Sequence, residues 1–597
     1  ALVHSLFETS VENGDTYVEA RDLLENTITI LEEARQIELD PAAVAKELST
    51  LIAEDKVQNI GTKIFDNTLF YAEAGIKKNL TRILDTPLTK QFSDQDLQEE
   101  IEDIEDAFGI SYDAVQKNAI KEALQSKVFI LTGGPGTGKT TVINGLIAAY
   151  ADLHGIDLEK KDIPIVLAAP TGRAARRMNE LTGLPSATIH RHLGLNGDND
   201  YQAMDDYLDC DLIIIDEFSM VDTWLANQLF SSISSNTQVI IVGDSDQLPS
   251  VGPGQVLADL LKIKTLPQIA LTKIFRQSED STIVTLANQM RQGIVPADFT
   301  QKKADRSYFE AGAQYIPEMI PKIVSAAIKS GISPQEIQIL APMYRGAAGI
   351  NRLNTIIQDL LNPLGDQLSF AFGDMNFRKG DKVLHLINDA ELNVFNGDIG
   401  YITDLIPAKY TESKQDELYM SFDGTEVIYP RNEWHKITLA YAMSIHKSQG
   451  SEFQVVILPI TRQSRRLLQR NLIYTAITRS KSKLVMLGEI AAFDYAIKNE
   501  GSKRKTYLVQ RFTTNPEDLD NSETIENPDE AKESQNEADK AISSAHVEEE
   551  KSEKVIQLSL DFNEDKPDNV KEYRLTEENL PFIDPMIGIT QVDIEQF

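Results

Sequence analysis

The chain has 597 residues, a net charge of −34 at pH 7, and 42% apolar and 25% charged side chains, which excludes a single small domain and fits about four folded units. One cysteine, Cys210, excludes an intramolecular disulfide and points to a reducing, cytoplasmic setting. No apolar run approaches the roughly 20 residues of a membrane helix and the opening residues do not read as a signal peptide, which argues against a membrane role.

Residues 1–100 read as a helical accessory domain. Amphipathic helices are predicted over 20–34 and 41–55, followed by a small polar hairpin near 56–70. A packing module without chemistry is the simpler reading of this part. From Lys127 the pattern changes to short Val, Ile and Leu runs at 128–131, 163–169, 211–215 and 238–242, separated by helical stretches. Uniformly apolar runs of this length suit strands of a parallel sheet covered on both faces. A second set follows at 336–341, 437–442, 453–460 and 483–488, so two α/β domains in tandem are expected, over 101–266 and over 267–378 with 437–512. Between members of the second set, residues 379–436 alternate short runs with turn residues such as Gly380, Asp381, Asn396, Gly397, Asp423 and Gly424. They read as a small inserted β-barrel.

The last 85 residues, 513–597, hold 24 acidic and 7 basic side chains, half of the whole negative excess. Their Glu, Asp, Ser and Asn content predicts a disordered tail, because so little apolar surface cannot offset chain entropy. Apolar islands at 555–562 and 580–589 interrupt it. The total charge is therefore weak testimony against a nucleic-acid partner, since the remaining 512 residues are only mildly acidic.

The first apolar run leads into Gly133-Gly134-Pro135-Gly136-Thr137-Gly138-Lys139-Thr140, followed by Thr141 and a helical stretch. This is the phosphate-loop pattern in its strand-to-helix context. Its backbone N–H groups would cradle phosphate, Lys139 would neutralise the β and γ phosphates, and the Thr140 hydroxyl would ligate Mg²⁺. The run at 211–215 ends in Asp216-Glu217, two carboxylates at a strand's carboxyl edge. Asp216 suits a Mg²⁺ contact, and Glu217 suits a base or an orienter of the attacking water. ATP and Mg²⁺ are thus the implied cofactors. Kinases, GTPases, transporters and motors share these parts, and neither an Asn-Lys-x-Asp guanine signature nor a Leu-Ser-Gly-Gly-Gln transporter signature is present.

Further blocks decide among them: Gln116 in a Tyr-x-x-x-Gln motif, Ala169-Pro170-Thr171-Gly172-Arg173, Thr188-Ile189-His190-Arg191, the Gly243–Gly254 stretch with Gln247, Arg276 in Phe-Arg-Gln, His446-Lys447-Ser448-Gln449-Gly450-Ser451-Glu452-Phe453, and Arg479 in a Thr-Ala-Ile-Thr-Arg run. In this order they resemble superfamily 1 helicases, and most closely the RecD-like group. The resemblance covers about residues 100–512 and draws also on 249–254 and on Ala341-Pro342-Met343-Tyr344-Arg345-Gly346. It implies two tandem RecA-like ATPase domains. It further implies that Gln116 recognises adenine, Glu452 contacts the ribose, Gln247 couples hydrolysis to movement, and Arg276 and Arg479 reach the γ phosphate from the second domain. Pro170, Thr171, His190, His446, Lys447 and Ser448 resemble positions that touch the nucleic-acid backbone. A hairpin pin that splits duplex is expected within 193–208, with an ordinary connecting loop as the alternative, and the inserted barrel would guide the strand.

Basic clusters lie beside these blocks: Arg173, Arg176 and Arg177 in the first domain, and Arg465, Arg466, Arg470, Lys481 and Lys483 in the second. A single strand needs such a channel. Longer members of the group carry an amino-terminal helix-hairpin-helix region, which this chain begins after or lacks. In the tail, Gln557-Leu558-Ser559-Leu560-Asp561-Phe562 resembles peptides that bind bacterial sliding clamps, an incidental apolar island being the alternative. The expected function is an ATP-dependent DNA helicase that moves 5′ to 3′ on single-stranded DNA and opens duplex carrying a 5′ tail, in repair or recombination. An RNA or mixed-substrate helicase, a remodeller that clears proteins from strands, and a structural subunit of a nuclease complex stay open at this level.

Overall fold

The computed structural model describes residues 1–35, 39–160, 162–195, 207–273, 281–389, 392 and 394–513. The 196–206 core of the predicted pin, Arg276, the acidic tail from residue 514 and the clamp-like segment lie outside the described residues.

The amino-terminal unit holds the two predicted helices, at Ala20–Arg35 and Pro41–Ala53. Asp40 caps the second by accepting from the Ala42 N–H at 3.0 Å, with Pro41 in the first turn where its missing N–H costs nothing. The polar hairpin is present as Gln58–Ile60 and Lys63–Phe65, and Val18–Glu19 pairs onto it. Helix Asn67–Leu84 packs against Thr223–Ser231 of the next unit, so the amino-terminal part is joined to the first α/β sheet.

That sheet has six parallel strands in the order Ser186–Thr188, Ile165–Ala169, Leu212–Ile215, Gln238–Gly243, Val128–Gly133 and Gln268–Leu271. Four of these are the predicted apolar runs, and the central ones are buried along their whole length. Gln268–Leu271 carries the first sheet beyond residue 266, as an edge strand too exposed to show the apolar signature. The second sheet has five parallel strands in the order Arg306–Glu310, Ser480–Gly488, Phe453–Ile460, Ile337–Ala341 and Ala442–Ser444. The chain is an α/β protein with parallel sheets of the kind that carry RecA-like helicase domains.

The apolar run at 437–442 behaves differently from its prediction as one strand of the second sheet. Ile437–Leu439 pairs antiparallel with Lys382–His385 in the inserted unit, and Ala442–Ser444 alone joins Ile337–Ala341. The change of sheet occurs at Ala440 and Tyr441, where the buried Asn354 donates to Leu439 O and Ala442 O at 3.1 and 3.0 Å and accepts from the Ala442 N–H at 2.7 Å. One asparagine thus satisfies the main chain that leaves one sheet before it enters the other. Because both halves are buried, nothing in the hydrophobicity marks the break.

The insertion is a five-stranded antiparallel sheet, Thr425–Pro430, Glu417–Phe422, Ile399–Ile406, Lys382–His385 and Ile437–Leu439. A hairpin, Ser369–Phe372 with Met375–Arg378, precedes it. Trp434 is fully buried where the two meet, stacking on Phe370 at 5.6 Å between centroids and meeting Phe377 edge-on. Residues 501–513 then return from the second unit to the first and to the amino-terminal unit. Arg504 donates to Ser250 O, Gly252 O and Gly254 O at 2.7, 3.0 and 2.6 Å. The buried Glu73 accepts from Thr16 Oγ1 at 2.7 Å and the Tyr507 N–H at 2.9 Å, and faces Arg511 Nε at 3.3 Å.

Candidate nucleotide and nucleic-acid site

Parallel pairing brings the carboxyl ends of four strands to one edge of the first sheet: the phosphate loop, Pro170-Thr171, Asp216-Glu217 and the loop from Asp244. In open α/β sheets this edge is where ligands bind. Gly136 and Gly138 lie in the left-handed region at φ 73° and 83°, so the loop curls without the Cβ strain another residue would suffer. The helix Lys139–His154 starts there, and its free N–H groups face the loop. Lys139 Nζ folds back to donate to Gly133 O at 2.5 Å and Gly134 O at 3.2 Å. Thr137 Oγ1 donates to Gly134 O at 2.8 Å, Thr140 is half-buried and Thr141 exposed.

Gln116 is buried beside this loop. It completes a capping box with Asp113 and donates from Nε2 to Thr137 O at 3.4 Å, so its amide is positioned by the loop it was expected to serve. Asp216 accepts the Glu217 N–H at 2.8 Å, and Glu217 sits at φ 51°, a left-handed conformation that favours glycine. Burial, then the neighbouring Glu217 charge, raise the Asp216 pKa, with Lys139 and Arg177 acting against them.

Gln247 and Arg479 meet across the two α/β units. Arg479 is buried and donates from Nη2 to Gln247 Oε1 at 2.9 Å, from Nε to Thr475 O at 3.1 Å and from Nη1 to Ser451 O at 3.3 Å. Leu248 N–H donates to Thr475 Oγ1 at 2.9 Å, and Gln449 Nε2 to Leu248 O at 3.0 Å. The loop after Gly243 is therefore held by the second unit along several consecutive residues.

The arginines beside Pro170 do not form the open basic patch that their clustering suggests. Arg173 donates to Ser451 Oγ, Arg176 pairs with Asp398 and Asp423 of the insertion, and Arg177 pairs with Glu452 at 2.9 Å. Helix Gly172–Thr182 directs them toward the second unit and the insertion, a direction that sequence spacing does not reveal. Arg177 also lies within electrostatic reach of Asp216 and Glu217, a role that sequence reasoning missed. The second cluster is spread as well: Arg465 lies over Tyr495, Arg470 pairs with Glu500 at 3.0 Å and Lys483 donates to Ala304 O at 2.5 Å.

Among the residues expected along a strand, Pro170 is half-buried and Thr171 caps the following helix, accepting the Ala174 N–H at 3.3 Å. His190 is half-buried in the turn Ile189–His192 capped by Thr188, and burial lowers its pKa. His446 is exposed, and Lys447 Nζ donates to Asn396 Oδ1 at 2.6 Å. Ser448 differs from them: it is fully buried and its Oγ donates to Ile445 O at 2.7 Å, so the hydroxyl shapes the turn instead of facing outward. Among the described residues no helix is long and apolar enough to cross a membrane. Cys210 is buried, and burial pushes its thiol up to about 11.

Three protein families match along the chain: an AAA domain over residues 116–253, the SH3 domain of ATP-dependent RecD-like DNA helicases over 353–422, and a UvrD-like helicase C-terminal domain over 439–487. The SH3 match falls on the insertion and the helix and hairpin before it. The ATP-dependent RecD2 DNA helicase of Deinococcus radiodurans is 32% identical over 397 residues, 66% of this chain and 52% of that protein. The chain thus spans about half the length of that relative. The RecBCD enzyme subunit RecD of Mycolicibacterium smegmatis is 30% identical over 444 residues, 69% of this chain and 77% of that protein. A crystal structure of Bacteroides Pif1 helicase in complex with ADP-AlF3 and ssDNA is 21% identical, covering 68% of this chain and 96% of that one at a TM-score of 0.41. Identity at this level across more than two thirds of a RecD subunit leaves one assignment: the chain belongs to the RecD-like family of superfamily 1 helicases.

Proposed function

We propose that the chain is an ATP- and Mg²⁺-dependent motor that travels 5′ to 3′ along single-stranded DNA and separates duplex with a 5′ tail, serving DNA repair or recombination in the cytoplasm. The observation that carries this reading is the contact of Arg479 with Gln247 across the two α/β units, at the edge that holds the phosphate loop. An arginine supplied from a second unit makes hydrolysis depend on closure. An arginine acting this way contributes about 10³ to 10⁵ in rate in related phosphoryl transfer. Each cycle of closing and opening then shifts the two units relative to each other along the strand.

The donor set fits a nucleotide with Mg²⁺. Thr140 offers a hydroxyl and Asp216 a carboxylate, hard oxygen donors of the kind that hold this ion together with phosphate oxygens and water. When bound, the ion would be held by Thr140 and Asp216 and would offset the negative charge that develops on the phosphate oxygens. Lys139 would exchange the carbonyls of Gly133 and Gly134 for phosphate oxygens. The glycines at 133, 134, 136 and 138, with Pro135, Thr137 and Thr141, shape the cradle. Glu217 would orient the attacking water, Gln116 would meet adenine and Glu452 the ribose. Arg276 would join Arg479 at the γ phosphate. Pro170, Thr171, His190, His446 and Lys447 would track the DNA backbone, with Ser448 supporting their turn.

Strand displacement on DNA and RNA duplexes with 5′ or 3′ tails tests the reading, with Lys139→Ala as control. We expect opening of 5′-tailed DNA alone, and a loss of turnover of about 10³-fold in the control. Opening from 3′ tails only would overturn the polarity. Opening of RNA would broaden the substrate, and DNA-stimulated hydrolysis without strand separation would favour a remodeller.

A further inference from the structure

Tyr474 belongs to helix Arg470–Thr478 of the second unit and is almost fully buried, yet its hydroxyl lies in the first unit. The hydroxyl donates to Asp244 Oδ2 at 3.0 Å. A Cβ placed on Gly134 would stand 2.9 Å from the same oxygen, so the hydroxyl rests directly on the phosphate loop. Burial, followed by the Asp244 charge, raises the phenol's pKa well above its ordinary value, which keeps it a donor.

Asp244 Oδ2 also accepts from Gln247 Nε2 at 3.2 Å. A carboxylate can only accept, so an amide beside it must present its NH₂ group and turn its oxygen the other way. The oxygen so turned is the one that receives Arg479 Nη2 at 2.9 Å. Tyr474, Thr475 and Arg479 thus grip Asp244, Leu248 and Gln247 from a single helix and its cap. Tyr474 is the member of this set that also touches the phosphate loop.

We infer that Tyr474 is a positioning residue for ATP turnover: through Asp244 it fixes Gln247 in the amide orientation that faces Arg479, and it makes that orientation depend on seating of the second unit against Gly134. The inference rests on the reading of this cleft as an ATPase site. Removing the hydroxyl leaves the ring in the core and releases one of the groups that hold Asp244, so Gln247 loses its fixed direction while the phosphate loop keeps its shape.

The test is a cycle of four proteins of residues 1–597, wild type, Tyr474→Phe, Gln247→Ala and the double variant, assayed for ATP hydrolysis with single-stranded DNA. Tyr474→Phe is expected to lower kcat about tenfold with KM for ATP within about twofold, and to cost less than about twofold in the Gln247→Ala background. A kcat within about twofold of wild type, or an equal loss with and without Gln247, would overturn it. A purely structural role for the hydroxyl predicts that equal loss, together with a lowered melting temperature. A wild-type chain without DNA-stimulated hydrolysis removes the reading of the cleft itself, and the inference with it.

Discussion

At the cleft, Lys139 and Arg479 aim their charge at neutral oxygens: the carbonyls of Gly133 and Gly134 for one, and Gln247, Thr475, Thr478 and Ser451 for the other. In the junction made by residues 501–513, Arg511 faces the buried carboxylate of Glu73, and Lys505 faces Asp22 at 2.9 Å. Both regions are rich in hydrogen bonds, and they differ in what the cation retains. A guanidinium or ammonium on amide oxygens keeps its net charge, and a polyanion that replaces those oxygens gains charge–charge attraction as well as hydrogen bonds. A cation on a carboxylate has little left to offer an anion. Lys139 and Arg479 are thus arranged for exchange and the Arg511–Glu73 and Lys505–Asp22 pairs for permanence, while Arg504, on the carbonyls of Ser250, Gly252 and Gly254, is the junction's exception.

The largest test of this difference is Arg479→Ala. Turnover should fall about 10³-fold or more while nucleotide binding, followed with a fluorescent ATP analogue, persists. Arg479→Lys should restore little, because an ammonium cannot span Gln247, Thr475 and Ser451 as the planar fork does. Near-normal turnover in Arg479→Ala would place this arginine with the permanent fasteners.

Next in size is Glu73→Ala. It takes the counter-charge from Arg511, which keeps only neutral partners such as Phe70 O, removes the acceptor of the Tyr507 N–H and leaves the Thr16 hydroxyl only Lys505 O at 3.3 Å, a class of change that costs about 3–5 kcal/mol. Urea unfolding should register the loss, while the folded protein hydrolyses ATP at the wild-type rate at 25 °C. An unchanged unfolding midpoint would show that the ion pair fastens nothing.

Much of the cleft was legible because its chemistry is local in sequence. Residues 133–140 must form a loop between strand and helix, and Asp216-Glu217 follow a run whose burial pattern reads directly as a central strand. Arg479 and Gln247 were each legible through their motifs, whereas their contact across 232 positions needed the tertiary structure. The junction left no trace, since Glu73 and Arg511 sit 438 positions apart in unremarkable helices. Two readings failed for a shared reason. The 437–442 run and the Arg173, Arg176 and Arg177 cluster each read as one unit because neighbours in sequence look alike, yet the first divides between two sheets and the second serves four partner residues. Similar residues do not reveal that the backbone switches sheets at Ala440, or which way a helix face points.

The smallest test concerns nucleic acid and divides two cations of the same region. Lys447 donates to the neutral Asn396 and should be exchangeable, whereas Arg176 is held by Asp398 and Asp423 and should not. Each cation that truly neutralises a phosphate of a single strand adds about 0.7 to the slope of log affinity against log salt. Anisotropy titrations of a labelled oligo(dT) at several salt concentrations should therefore show a slope reduced by about 0.7 for Lys447→Ala and unchanged for Arg176→Ala. If Arg176→Ala lowers the slope as much, the two aspartates must release their arginine when a strand arrives. Asp398 and Asp423 would then act as phosphate stand-ins, and an ion pair alone would no longer mark a contact as permanent.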